Sequence, residues 1–165
     1  TVRNRRRAIT DEVLINRPRV FPGRVFMFGY NPKHAETLPY YDQFPLIIPI
    51  KTGKTSFTGI NLHYLSPRDR AILFDHFRDQ MLMETKSIFQ TRFKNLSYKR
   101  LNSSLRFKYF LPAFKRYNYS HVKTRMYLVP PKYWEIALFL PTENFKKAEK
   151  RTVWRKSARE ARSKI

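Results

Sequence analysis

The sequence contains no cysteine, which removes disulfides, thiolate nucleophiles and cysteine-based metal centres from consideration. Acidic residues are also scarce, with twelve Asp and Glu against 34 Lys and Arg, a formal charge of +22 over 165 residues. The scarcity is uneven. Between Thr85 and Trp134 there is no acid at all, while twelve Lys/Arg and twelve aromatic residues fall in the same window. There are only four glycines and no glycine-rich run, so an extended phosphate-cradling loop is not encoded. No apolar run approaches the ~20 residues of a membrane span. The opening Val2–Arg7 stretch is followed by no apolar run of the signal-peptide kind. No membrane partner is expected.

What is present points to a folded, basic protein. The hydrophobic fraction of 42% and fourteen Phe give one domain's worth of core. Aromatics at this density are incompatible with a solvated, disordered tail, yet an unpaired run of cations repels itself. The two together predict positive surface built on an aromatic core, with partners that supply negative charge. That combination suits a nucleic-acid-facing structural protein better than an enzyme.

The chain divides into a basic extended arm (1–23), a core domain (24–141) and a basic C-terminal helix (142–165). The fold class is α+β: a small antiparallel sheet or partial barrel covered by helices, with basic extensions at both ends. Pro18 and Pro22 break regular structure in the arm. Arg24–Tyr30, Leu46–Ile50 and Ser56–Leu65 read as strands by aromatic and β-branched content. Pro49 demotes the second to an edge or a bulge. Between the first two, the Pro-bounded Leu38–Pro45 loop supplies aromatics that plug one end of the core. Ser66-Pro67-Arg68-Asp69 is a helix start, with a hydroxyl cap, proline at the first helical position and an acid in the first turn. That helix runs to about Met83, with Ile72, Leu73, Phe77 and Met81 facing the sheet. Short helices are expected near 97–104 and 111–122, then a strand over Lys123–Val129. Pro130-Pro131 opens a short helix through Trp134, Ala137 and Leu138. The last helix is expected to start at Pro141-Thr142-Glu143, capped by Thr142, with Phe145, Ala148, Thr152, Trp154, Ala158, Ala161 and Ile165 along one seam.

Candidate catalytic motifs fail on chemistry. Gly53-Lys54-Thr55 ends like a phosphate-binding loop, but position 48 is Ile where that loop needs glycine, so a tight turn is the reading. Asp75 with Glu84-Thr85-Lys86 faintly resembles a metal-dependent nuclease set, but a nine-residue helical spacing does not converge two carboxylates on one ion. His34, His63, His76 and His121 lack metal-ligand spacing, and a catalytic triad would have to be assembled from scattered single residues. No catalytic residue, metal or cofactor is predicted. The signal above background is the basic–aromatic surface, because Lys and Arg bind phosphate without reading sequence and aromatic faces stack on bases. The predicted contacts are Arg92, Lys94, Lys99, Arg100, Arg106, Lys108, Lys115, Arg116, Lys123 and Arg125 in the acid-free window. To these are added Lys147, Arg151, Arg155 and Arg159 of the last helix, and Arg3, Arg5, Arg6 and Arg7 of the arm.

The order of Phe26–Lys33, Leu38–Leu46, Gly59–Leu65 and Trp134–Pro141 resembles small virion proteins of T4-like contractile-tailed bacteriophages, the DNA end protector family among them. The resemblance covers most of the chain from about Arg24 onward. It implies a non-catalytic virion protein, assembled with other virion proteins in the host cytoplasm. Two roles follow from it. One is sequence-independent binding of packaged double-stranded DNA, for end protection or head–neck completion. The other is a tail, neck or baseplate subunit whose basic surface and arms clamp acidic neighbours.

Overall fold

The computed structural model describes residues 15–17, 19–82, 110–139 and 141–163. Its centre is a six-stranded antiparallel sheet of β1 (Ile15–Arg17), β2 (Val25–Met27), β4 (Leu46–Thr52), β5 (Ser56–Asn61), β6 (Phe114–Asn118) and β7 (Met126–Val129). The spatial order is β1-β7-β2-β4-β5-β6. A second, two-stranded sheet pairs β3 (Tyr41–Asp42) with β8 (Phe145–Lys146). Three α-helices complete the described residues: α1 (Pro67–Leu82), α2 (Trp134–Phe139) and α3 (Lys150–Ser163). The fold is thus α+β, with an open sheet and no closed barrel among the described residues.

The sheet is packed on both faces, and strand alternation explains how. On β2, Val25 and Met27 point to one side and Phe26 and Phe28 to the other; on β4, Leu46, Ile48 and Ile50 oppose Ile47. The register keeps the sides consistent, since Phe26 lies opposite both Ile47 and Leu128, and Val25 opposite Val129. One core, under α1, α2 and α3, gathers Leu73, Phe74, Trp134, Leu138 and Val153 around the first set. The other gathers Val20, Phe26, Phe28, Tyr30, Phe57 and Tyr117, with Phe28 edge-on to Phe57 and Tyr117 and Tyr30 edge-on to Tyr117. Each fully buried side chain of this kind contributes ~1.5–3 kcal/mol.

Several expectations hold locally. The three early strands form, and the segment Phe114–Asn118 extends their meander. The Pro49 constraint resolves as a bulge: β4 is interior, and its register with β5 shifts between Pro49 and Lys51. Opposite Pro49, Gly59 leaves no room for a side chain, because a Cβ there would sit 2.8 Å from the Ile48 carbonyl oxygen. Ser66 caps α1, its Oγ accepting from the Asp69 amide at 3.3 Å; Leu73 reaches the core as expected, with Ile72 packed against it and Phe74 added to it, while the side chains of Phe77 and Met81 lie outside the described residues. The Lys51–Thr55 turn is a hairpin whose Gly53 and Lys54 carbonyls accept from the Arg19 guanidinium at 3.3 and 2.9 Å. A turn that offers carbonyls to a cation is no phosphate cradle.

Three expectations are corrected. No helix spans 111–122: a helical turn at Leu111–Ala113 leads into β6, and a second turn follows at Tyr119–His121. Tyr117 is the reason, since as a strand residue it lies opposite Phe57 and stacks on its ring, burying both. The last helix starts at Lys150 rather than Thr142, because Phe145–Lys146 pair with β3 and Lys147 takes a positive φ of 70° that interrupts helical geometry. Thr142 therefore caps nothing and is buried. Within the segment expected to be an arm, β1 forms the outer strand against β7. Met83 and the helix expected near 97–104 lie outside the described residues.

Candidate nucleic-acid interface

α3 is an amphipathic helix with the strongest cationic face among the described elements. It begins where the Val153 amide donates to the Glu149 carbonyl at 3.1 Å. Val153, Ser157 and Ala161 are its buried positions. At ~100° per residue, Arg151, Arg155, Arg159 and Arg162 fall within about 80° of arc on the opposite side. All four are exposed. The stripe spans twelve residues, about 16 Å along the axis. Small residues on the buried side let the helix lie close to the domain, so the arginines project from a fixed support. Lys150 and Lys156 flank the stripe and are spent differently. The Lys150 Nζ stands 5.7 Å from the Trp154 ring centroid, and the Lys156 Nζ stands 5.1 Å from the Tyr40 ring centroid.

The strand-borne cations divide the same way. On β6, Arg116 is exposed and its Nε donates to Ser56 Oγ at 3.3 Å, while the Lys115 ammonium sits 4.3 Å from the Tyr64 ring centroid. Lys123 and Arg125 are exposed in the connection to β7. Lys147 behaves unlike the other predicted contacts. Its Nζ donates to the carbonyls of Ala35, Glu36 and Leu38 at 2.9, 2.8 and 3.0 Å. Its three donors are thereby saturated, and the residue clamps a turn. Arg92, Lys94, Lys99, Arg100, Arg106 and Lys108 lie outside the described residues, as do Arg3, Arg5, Arg6 and Arg7.

Beneath this surface lies a buried polar network that residue spacing does not reveal. Asp42 Oδ2 is 2.8 Å from His63 Nδ1, and His63 Nε2 is 2.9 Å from Thr142 Oγ1. Asn61 Nδ2 donates to Asp42 Oδ2 and to the Tyr117 hydroxyl, each at 2.9 Å. Burial alone would raise the Asp42 carboxyl, but the His63 ring, the Asn61 amide and the Phe44 N–H reverse that and hold it below the usual range. The order acid–imidazole–hydroxyl matches a nucleophile triad. Its hydroxyl and imidazole are both fully enclosed, however, so no substrate reaches them, and the set serves as a buried staple.

Next to it, Arg70 is 1% exposed. Its Nε donates to the carbonyls of Leu62 and Leu65 at 2.7 and 2.9 Å, and its Nη1 to the carbonyl of Leu138 at 2.9 Å. Its Nη2 pairs with Glu143 Oε1. Burial pushes the Glu143 carboxyl up, and the Arg70 charge and hydrogen bond pull it below its ordinary value. Trp154 of α3 donates from Nε1 to the His63 carbonyl at 2.9 Å, which ties the arginine-bearing helix to this network. The partners are 21, 79 and 73 residues apart. The available sequence signal was that Asp42 and Glu143, two of only twelve acids, stand among aromatic and apolar neighbours.

A family model described as Phage T4 terminal DNA protecting protein matches residues 6–160. No curated protein and no solved structure matches the chain.

Proposed function

The chain belongs to the Phage T4 terminal DNA protecting protein family, and from that premise we propose that it is a non-enzymatic virion protein that binds the ends of packaged double-stranded DNA through their phosphates. The observation that carries the reading is the α3 stripe, in which Arg151, Arg155, Arg159 and Arg162 share one exposed face opposite the buried seam. Guanidinium groups in a row on a rigid helix meet phosphate oxygens with charge-assisted hydrogen bonds and read no base edges. Arg116, Lys123 and Arg125 extend the positive surface, and the acid-free window adds further charge. End protection needs this kind of sequence independence, because an end must be held whatever its terminal bases.

Titration of linear duplexes of unrelated sequence by fluorescence anisotropy, from low to high salt, tests the reading. The affinity should be the same for each sequence and fall linearly with salt on a log–log plot. Each Arg→Ala change in the stripe should reduce the slope by ~1. A salt-independent affinity, with the same variants instead failing to enter particles, would mean that the cations clamp acidic neighbouring subunits.

A further inference from the structure

The segment Leu38–Asp42 and strand β6 enclose a cleft of about 260 Å³ on the domain surface. Its walls include Tyr30, Tyr40, Tyr41, Tyr64 and Tyr117. Two β6 cations, the half-buried Lys115 and the exposed Arg116, also line it. Lys156 of α3 sits over Tyr40, so the cleft abuts the arginine-bearing helix.

We infer that this cleft receives the terminal nucleotide of a DNA end, its base against the half-buried rings of Tyr40 and Tyr41 and its phosphate on Lys115 and Arg116. The inference rests on the DNA-binding reading above and assigns that reading a place where an end differs from interior duplex. Several features select this ligand class. Volume is the first: the cleft falls just below the ~300–1,000 Å³ of drug-sized sites, which fits one ring system with its phosphate. Ring content is the second, because tyrosine faces stack on a base while two cations meet a phosphate, and a nucleotide presents both groups at once. A metal ion is disfavoured, since the one carboxylate in the lining, Asp42, already accepts from Asn61 and the Phe44 amide and is paired with His63. Burial raises the phenols of Tyr40, Tyr64 and Tyr117, so the wall stays uncharged and does not repel phosphate.

Two consequences follow. Rings tolerate any base, so the site adds end preference without sequence preference. A paired base cannot enter a space of this size, so the nucleotide must leave the stack. That cost is smallest for an unpaired base, and ends with a single-stranded overhang should bind more tightly than blunt ends.

The test uses the full chain and two probes. The first is a 5′-phosphorylated dinucleotide carrying 2-aminopurine, whose fluorescence is quenched by stacking. The second is a linear duplex with the same base in a terminal overhang or at an interior position. Wild-type protein should quench the dinucleotide and the overhang but not the interior base. Tyr41→Ala should weaken dinucleotide binding about ten-fold or more, the scale of one lost base–aromatic stack. Tyr41→Phe should retain it. If Tyr41→Ala fails to fold, Arg116→Ala at an exposed position supplies the second reading and should also weaken both probes. Duplex bound with the expected salt dependence but with neither probe quenched would overturn the cleft and leave the phosphate reading standing. Quenching of the dinucleotide without any duplex binding would retain the cleft and overturn the DNA-end reading.

Discussion

Arg70 is one of 34 basic residues, yet its role is internal. It caps the turn at Leu62–Tyr64, holds the Leu138 carbonyl at the end of α2 and neutralises Glu143. Arg70→Met should cost ~3–5 kcal/mol in urea unfolding, because Glu143 is then buried without a counter-ion. Adding Glu143→Leu should recover part of the loss, an outcome that a purely steric role for Arg70 would not produce. The same residues set an acid limit. Asp42 and Glu143 both have folded pKa values below their ordinary ones, and unfolding returns them to ~4. Their contribution is therefore complete above about pH 5 and is lost as pH falls through 4 and below. Urea midpoints measured from pH 7 to pH 3 should show the gap between wild type and Asp42→Asn narrowing toward the acid end. A gap that stays constant with pH would show that the Asp42 charge plays no part. None of these pairings was legible in the sequence, because contact between positions 42, 63 and 142 depends on two sheets and a helix meeting.

Elements were legible where local chemistry and tertiary demand agree. Ser66-Pro67 starts α1 with its own cap, and Ser66→Ala should lower stability by ~1 kcal/mol in thermal unfolding. The strands over Val25–Met27, Leu46–Thr52 and Ser56–Asn61 declare themselves by aromatic and β-branched content and are separated by turn residues. Phe114–Asn118 misleads because Phe114 and Tyr117 sit three apart, a helical spacing; the strand prevails because Tyr117 fills the space beside Phe57 and Phe28. The start of α3 misleads because Thr142-Glu143 has capping chemistry that the buried network takes for itself. The bulge at Pro49 makes a prediction of its own. Gly59→Ala places a methyl against the Ile48 carbonyl and Pro49 Cα; strand β4 must shift, at ~1–3 kcal/mol by denaturant unfolding. The basic composition was legible, and so was the four-residue spacing that sets Arg151, Arg155 and Arg159 on one helix face; that Arg162 joins them and that a turn takes up Lys147 were not.

At the scale of the whole molecule, a net charge of +22 over 165 residues opposes compaction. Binding that neutralises some of them should stabilise the fold by mass action. Linear duplex added at low salt should therefore raise the thermal midpoint by several degrees, and the gain should vanish at high salt. A midpoint unmoved by duplex at low salt would show that the folded state does not bind it. The order of the sheet has a consequence for synthesis. β7, which ends at Val129, lies between β1 and β2, whose residues are the first of the described strands to leave the ribosome. The β2–β4–β5 meander can assemble early, but among the described strands β1 has no neighbour until Met126–Val129 has been made. Pairing of β1 thus waits for β7, and a nascent chain stalled before residue 126 should be open to protease at Ile15–Arg17. Such long-range closure places refolding among the slow, millisecond-to-second topologies.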